Sequence, residues 1–239
     1  MNHSSVDSLL DRQLLRWELE RSSGRKRDTT HHETRALAPL ITVSRQHGTI
    51  GAEIAHRLAD HFHYTLLHRD MIERMVQSTG HARRLLEALD GHTRSRIATW
   101  VESMMAGTYV DEGEYVRALL QTIYSIAELG GVVVVGRAAN FIVGPDRGFH
   151  VRVVAPREVR IRAIMERSRI GEKEAAHEID LRDRERADFV RHMFGRSLDD
   201  PLGYDVVVNA DNQSAETIGR WLAAAAREKF ERMSHVAAT

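Results

Sequence analysis

Ile41-Thr42-Val43-Ser44-Arg45-Gln46-His47-Gly48-Thr49-Ile50-Gly51-Ala52-Glu53-Ile54-Ala55 is the stretch from which the fold can be read. A short β-branched run ends in a turn carrying Gly48 and Gly51. Ile54, Leu58 and Phe62 then recur at helical spacing. This is the order of a strand, a phosphate-binding loop and a helix. A helix N-terminus behind such a turn offers backbone N–H groups and a positive dipole end to an anion. The common loop G-x-x-x-x-G-K-[ST] adds a lysine for the phosphates and a hydroxyl for magnesium. Aligned on its glycines and the following Ile-Ala, this chain has Gly51 at the lysine position and Ala52 at the hydroxyl position. Ile50 is β-branched, so it resists positive φ and is expected to crowd an approaching phosphate. Weak ATP binding follows, and Gly51→Lys with Ala52→Ser is expected to tighten it if the loop path is intact.

Working outward, residues 1–38 read as a flexible N-terminal appendage and 39–239 as one α/β domain. Val6 to Trp17 can form a short amphipathic helix, and Arg21 to Arg27 read as a basic linker. Strand one spans about Leu40–Ser44 and helix one about Gly51–His63. Tyr64–Leu67 is a candidate second strand, followed by a helix through Ile72 and Met75. His81 to Leu129 is mostly helical, punctuated by Gly91 and Gly107. Val132-Val133-Val134-Val135 between Gly131 and Gly136 has the pattern of a strand buried on both faces. Phe149–Val154 is a further strand, Arg157–Ser168 and Glu172–Phe194 are helices, Tyr204–Asn209 is the last strand and Ala215–Met233 the closing helix. Alternating strands and helices imply a mostly parallel sheet covered on both faces, with ligands beyond the strands' carboxyl ends. Gly48, Asp70 and Arg137 each follow a strand and are expected near one crevice.

Composition narrows the classes. Lys+Arg 34 balances Asp+Glu 34, so no global charge draws the chain to nucleic acid or an acidic membrane. With Cys 0, thiol catalysis and disulfides are excluded. No apolar run reaches membrane-span length, and the N-terminus lacks a signal peptide's apolar region. The expectation is a soluble, cytoplasmic protein. His56, His61 and His63 give no clean ligand face, so no metal site is expected.

Ser44-Arg45-Gln46-His47-Gly48-Thr49-Ile50-Gly51-Ala52-Glu53-Ile54, Gly136-Arg137-Ala138-Ala139-Asn140, Asp183-x-x-Arg186-Ala187 and Tyr204-Asp205-x-x-x-Asn209 occur in an order that resembles the cytidylate kinase-like family, a divergent branch of the nucleoside monophosphate kinases. The resemblance runs from about Leu40 to Ala224. Ile50 and Ala52 replace a glycine and an arginine of the family's pattern. The resemblance implies a three-layer α/β, P-loop kinase-like fold with a mostly parallel five-stranded sheet, a helical acceptor-binding region and an arginine-bearing lid. It also implies transfer of the ATP γ-phosphoryl, with Mg2+, to a nucleoside monophosphate, CMP or dCMP. The alternative is a nucleotide-binding regulatory module that has lost transfer activity, because the loop lacks its lysine and hydroxyl.

Phosphoryl transfer depends on charge neutralisation and positioning, and arginine binds phosphate oxygens in pairs. Arg45 either supplies part of the missing lysine's charge or points to solvent or a carboxylate. His47, Gly48, Thr49, Ile50, Gly51, Ala52 and Glu53 form the remaining donor loop; His47 either meets phosphate or faces solvent. By resemblance Arg137 holds the acceptor's phosphate or base, and Asp183 and Arg186 its sugar and phosphate, with Arg186 also serving catalysis. Arg160, Arg162, Arg167, Arg169, Arg182 and Arg191 are further lid candidates, most of them expected to be surface pairs. Asp70 either orients substrate, directly or through magnesium-bound water, or caps its helix. Asp205 is expected to be structural.

Overall fold

The computed structural model of the chain describes residues 3–25, 39–105 and 113–237. The quoted strand is β1, Leu40–Arg45. It lies at the middle of a five-stranded sheet of order β2-β3-β1-β4-β5, with β2 at Thr65–Leu67, β3 at Val132–Val135, β4 at Gly148–Val154 and β5 at Val206–Asn209. β1 runs parallel to β3 and β4, and β4 parallel to β5. The central position expected for the loop strand is therefore the one observed.

The helices are α1 His3–Arg25, α2 Gly51–Phe62, α3 Arg69–Gln77, α4 Thr79–Glu87, α5 Gly91–Met105, α6 Gly113–Leu129, α7 Ala139–Val143, α8 Arg157–Ser168, α9 Glu172–Phe194 and α10 Ala215–Ala237. Sequence periodicity placed α8 and α9 to the residue. It missed α7, which is too short to show a helical period. Tyr204 and Asp205 precede β5 because a 3₁₀ turn at Pro201–Gly203 sets the chain's entry into the strand. Gly107 lies outside the described residues. Among the described residues no helix is long and apolar enough to cross a membrane.

The chain divides into a sheet unit, holding β1, α2, β3 to β5 and α7 to α10, and a helical unit built on α1 and α3 to α6. In the sheet unit, alternation decides the two faces. Ile41, Val43, Val133, Val135, Phe149, Val151 and Val153 form one buried cluster with Ile54, Leu58, Ile218 and Leu222 of α2 and α10. The intervening residues Thr42, Ser44, His150 and Arg152 form a buried polar row on the opposite face. His150 Nε2 meets the Gly144 carbonyl at 2.9 Å and Nδ1 meets Thr42 Oγ1 at 2.8 Å. A carbonyl accepts only, so Nε2 carries the proton and the threonine hydroxyl donates to Nδ1. Asp205 accepts from the His150 N–H at 2.7 Å and from Lys229 Nζ at 2.6 Å. That gives it the structural role expected of it.

In the helical unit, α1 packs on α3 and α4. Leu10 and Leu14 are fully buried, and Trp17 donates its indole N–H to the Gly130 carbonyl at 3.1 Å. Arg74 forks onto the Asp7 carboxylate at 2.9 and 3.1 Å. Arg84 reaches Glu18 at 3.1 Å and Asp11 at 2.6 Å. The N-terminal stretch read as an appendage thus contains a helix with a buried face; residues 26–38 of it lie outside the described residues.

Two outcomes follow. Leu14→Ala should lower stability by about 2–4 kcal/mol in a denaturant titration, the cost of emptying a buried leucine site; a loose appendage would show no change. Burial holds His150 below its ordinary value of 6.5, with Lys229 pushing the same way against the opposing effects of Gly144 and Asp205. The unfolded chain therefore takes up this proton first as pH falls. The stabilisation is complete above about 6.5 and is lost as pH falls from there toward the folded value. Native and His150→Gln stability curves measured from about pH 7 to 5 should converge toward acid.

Candidate functional site

The loop after β1 is pinned before it turns. Gln46 donates its N–H to the Val153 carbonyl at 3.0 Å, and its side-chain oxygen accepts from the Ala155 N–H at 3.1 Å. Thr49 Oγ1 donates to the Gln46 carbonyl at 2.9 Å and accepts from the Gly51 N–H at 3.4 Å. Gly48 has φ +85, and a Cβ there would lie 2.8 Å from the Arg160 carbonyl oxygen in the first turn of α8. Both facts restrict this position to glycine. Ile50 has φ −77 and packs its side chain against the hydrophobic core. The expected crowding by Ile50 is thus corrected: no positive φ is required, and its branched side chain is drawn into the apolar cluster.

Gly51 faces a different neighbour. A Cβ on it would stand 2.7 Å from Arg45 Cβ and 3.1 Å from Arg45 Cγ. A Cβ on Gly136 would stand 2.7 Å from Arg45 Nη1. The Arg45 side chain therefore runs through the space above Gly51 and brings its guanidinium over the end of β3. There Gly136, Arg137 and Ala138 hold φ of +82, +56 and +52 in succession. Two consecutive non-glycine residues in the left-handed region carry backbone strain, which proteins concentrate at functional turns. Restoring a lysine at position 51 is consequently not a simple repair, because the arginine already fills the space it would enter.

The two lid helices reach the same loop. Asp183 of α9 accepts from the His47 N–H at 2.8 Å, from Arg186 Nη1 at 3.0 Å and from Arg160 Nη1 at 2.6 Å. Arg160, almost fully buried, also donates to the His47 and Ala155 carbonyls at 3.2 and 3.1 Å. The carboxylate of Asp183 thus sits among three donors, as a bound anion would. His47 Nε2 lies 2.7 Å from Glu178 Oε1 of α9. Burial lowers the His47 pKa from 6.5, and Arg186 and Arg167 add to this against the Glu178 hydrogen bond. A neutral imidazole donating to Glu178 results. Arg157–Asp180 at 2.7 Å and Arg182–Glu185 at 3.1 Å are half-exposed surface pairs, which contribute little.

Loop, Arg45, Arg137, Asp183 and Arg186 all belong to the sheet unit, whereas Asp70 belongs to the helical unit. Asp70 is exposed in the first turn of α3, whose N-cap is His68, so the capping alternative for Asp70 is corrected. Ala52 and Glu53 are exposed at the start of α2. Sequence reading named Arg160 only as one lid arginine among many, and it passed over Gln46 as a structural pin. It also passed over Arg152, a cation inside the β4 pattern, whose signal was a charge at a strand position flanked by valines.

With this geometry in hand, the chain can be set beside known proteins. Residues 40–212 match the cytidylate kinase-like family. A cytidylate kinase from Staphylothermus marinus is 31% identical over 93 residues, which are 39% of this chain and 52% of that protein. The chain thus spans about half the length of this curated relative. The crystal structure of an uncharacterized protein from Eubacterium ventriosum is similar at 17% identity with a TM-score of 0.62, covering 80% of this chain and 98% of the other, a likeness of fold alone. A gluconokinase from Sinorhizobium meliloti has a TM-score of 0.46 at 14% identity over 84% of this chain and 98% of its own. The matched residues run from β1 through the loop, the strained turn after β3 and both lid helices to the end of β5, and the chain belongs to the cytidylate kinase-like family.

Proposed function

We propose that the chain is a nucleotide kinase that uses ATP and Mg2+ to phosphorylate a nucleoside monophosphate, CMP or dCMP. The observation that carries this reading is the path of Arg45 over Gly51 to Gly136. The cation that the helix no longer supplies is delivered from the strand, at the carboxyl end of the sheet where ligands of such folds bind. A guanidinium keeps its charge and offers paired donors to phosphate oxygens. ATP would be held by Arg45 and by the amides from Gly48 to Glu53, and would supply the transferred phosphoryl group. Magnesium fits as an ion carried largely by phosphates and water, because the Thr49 hydroxyl is committed to Gln46 and Gly51. Arg137, on its strained turn, and Arg186 would meet acceptor phosphate. Each such charge-assisted contact is worth about 1.5–3 kcal/mol.

One observation favours the second reading, a nucleotide-binding regulatory module without transfer. The Asp183 carboxylate already takes the His47 N–H, the Arg160 guanidinium and Arg186. A donor phosphate at this end of the loop competes with that internal anion. For the kinase, the same contact makes the lid a partner that ligand must displace.

A coupled assay over a panel of nucleoside monophosphates with ATP and magnesium tests the reading. The kinase should turn over a pyrimidine monophosphate best; nucleotide binding without turnover selects the regulatory module. Arg45→Ala should lower kcat/KM about ten- to hundredfold with little change in Tm, and Arg45→Lys should recover part of the loss. Gly51→Ala should reproduce the Arg45→Ala defect, since its Cβ would collide with Arg45, and Gly51→Lys should not exceed native activity. If Asp183 competes with donor phosphate, Asp183→Asn should tighten ATP binding in calorimetry; a raised acceptor KM with unchanged ATP affinity would instead assign Asp183 to the acceptor.

A further inference from the structure

On the sheet face opposite α2 and α10, Ser44 of β1 stands in register with Arg152 of β4. Arg152 is 4% exposed, at the carboxyl ends of both strands. Its Nη1 donates to Ser44 Oγ at 2.9 Å and its Nη2 to Asp199 Oδ1 at 2.8 Å. Its Nε is buried and has no hydrogen-bond partner among the described residues. Tyr204 brings its hydroxyl to 3.5 Å from Ser44 Oγ and donates to the Leu198 carbonyl at 2.8 Å.

A guanidinium presents Nε and one terminal nitrogen along a single edge, a fork that matches two oxygens of a carboxylate or phosphate. Here Asp199 fills one tine of that fork and leaves the other empty. A buried cation is costly unless paired and fully hydrogen-bonded. The only carboxylate paired with Arg152 among the described residues has a side chain 72% exposed. A bidentate Arg–carboxylate pair would close both tines. The half-used fork instead fits a site whose second oxygen comes from outside the chain.

We propose that Arg152 binds the acceptor's phosphate monoester through Nε and Nη2, with Asp199 standing in for it in the ligand-free chain. Resting on the kinase reading above, this adds a phosphate anchor on β4 to the residues of the loop and lid. Ser44 holds the far side of the guanidinium and fixes its plane. Asp199, on the exposed segment ahead of Pro201, swings out as the phosphate enters. The chemistry recognised is a phosphate monoester dianion, whether on a nucleoside or free in solution.

The test uses the full chain, with CMP, cytidine and inorganic phosphate as probes in calorimetry and CMP as acceptor in the coupled assay. Arg152→Gln should weaken CMP binding about ten- to hundredfold, leave cytidine binding unchanged and raise the acceptor KM without raising that for ATP. Asp199→Asn, which removes the competing charge, should tighten CMP binding severalfold; inorganic phosphate should compete with CMP in the native chain but not in Arg152→Gln. Equal CMP affinity in native and Arg152→Gln chains overturns the proposal. If Arg152→Gln fails to fold, Asp199→Asn decides alone, and unchanged or weaker CMP binding overturns it. CMP binding that responds to these variants without any turnover sinks the kinase reading and leaves the anchor standing. Turnover that is indifferent to Arg152 does the reverse, and a native chain that binds no CMP overturns the anchor.

Discussion

Parallel pairing of β1 on both edges is the constraint from which the site follows. A strand held by β3 on one side and β4 on the other cannot rotate or slip without breaking two ladders of backbone hydrogen bonds. Its last two residues are therefore aimed by the pleat. Ser44 goes to the polar face, beside Arg152; Arg45 goes to the α2 side, over Gly51. One strand end thus serves two arginines on opposite faces of the sheet, at the edge where a following helix offers its N-terminal N–H groups to anions.

Charge at this edge is managed by internal carboxylates. Asp183 answers the loop amide, Arg160 and Arg186; Asp199 answers Arg152. Arginines cannot lose their charge when buried, so a ligand-free site built from them needs anions of its own. Both aspartates sit on segments that follow the sheet's central strands in sequence, α9 and the approach to β5. Phosphate binding of the kind proposed would be an exchange of anions at such a site, with a smaller net gain than capture by an empty cradle.

Strong local patterns made much of the fold legible beforehand. Four consecutive valines between glycines, a β-branched run before Arg45 and long charged amphipathic stretches fix β3, β1, α8 and α9 through local periodicity. What escaped was short or contextual. α7 spans five residues, and the entry into β5 is set by Asp200 and Pro201 rather than by the apolar run after them. The buried face of α1 depends on Trp17 finding the Gly130 carbonyl, 113 residues away. No window of sequence contains that contact.

The same division runs through the site. The sequence by itself determined that a strand, a two-glycine turn and a helix would place a loop at the sheet's edge, and that this loop lacked its lysine. Those facts depend on residue type and on periods of two and about four residues, which the chain carries locally. Only the tertiary structure decided that Gly51 is a clearance for Arg45 and that Ile50 turns into the core. It likewise decided that Asp183 closes on the His47 amide, and that a cation in an otherwise apolar strand faces Ser44 and Asp199. Each of these is set by strand pairing, loop path and helix packing, and none can be read from the residues' own spacing.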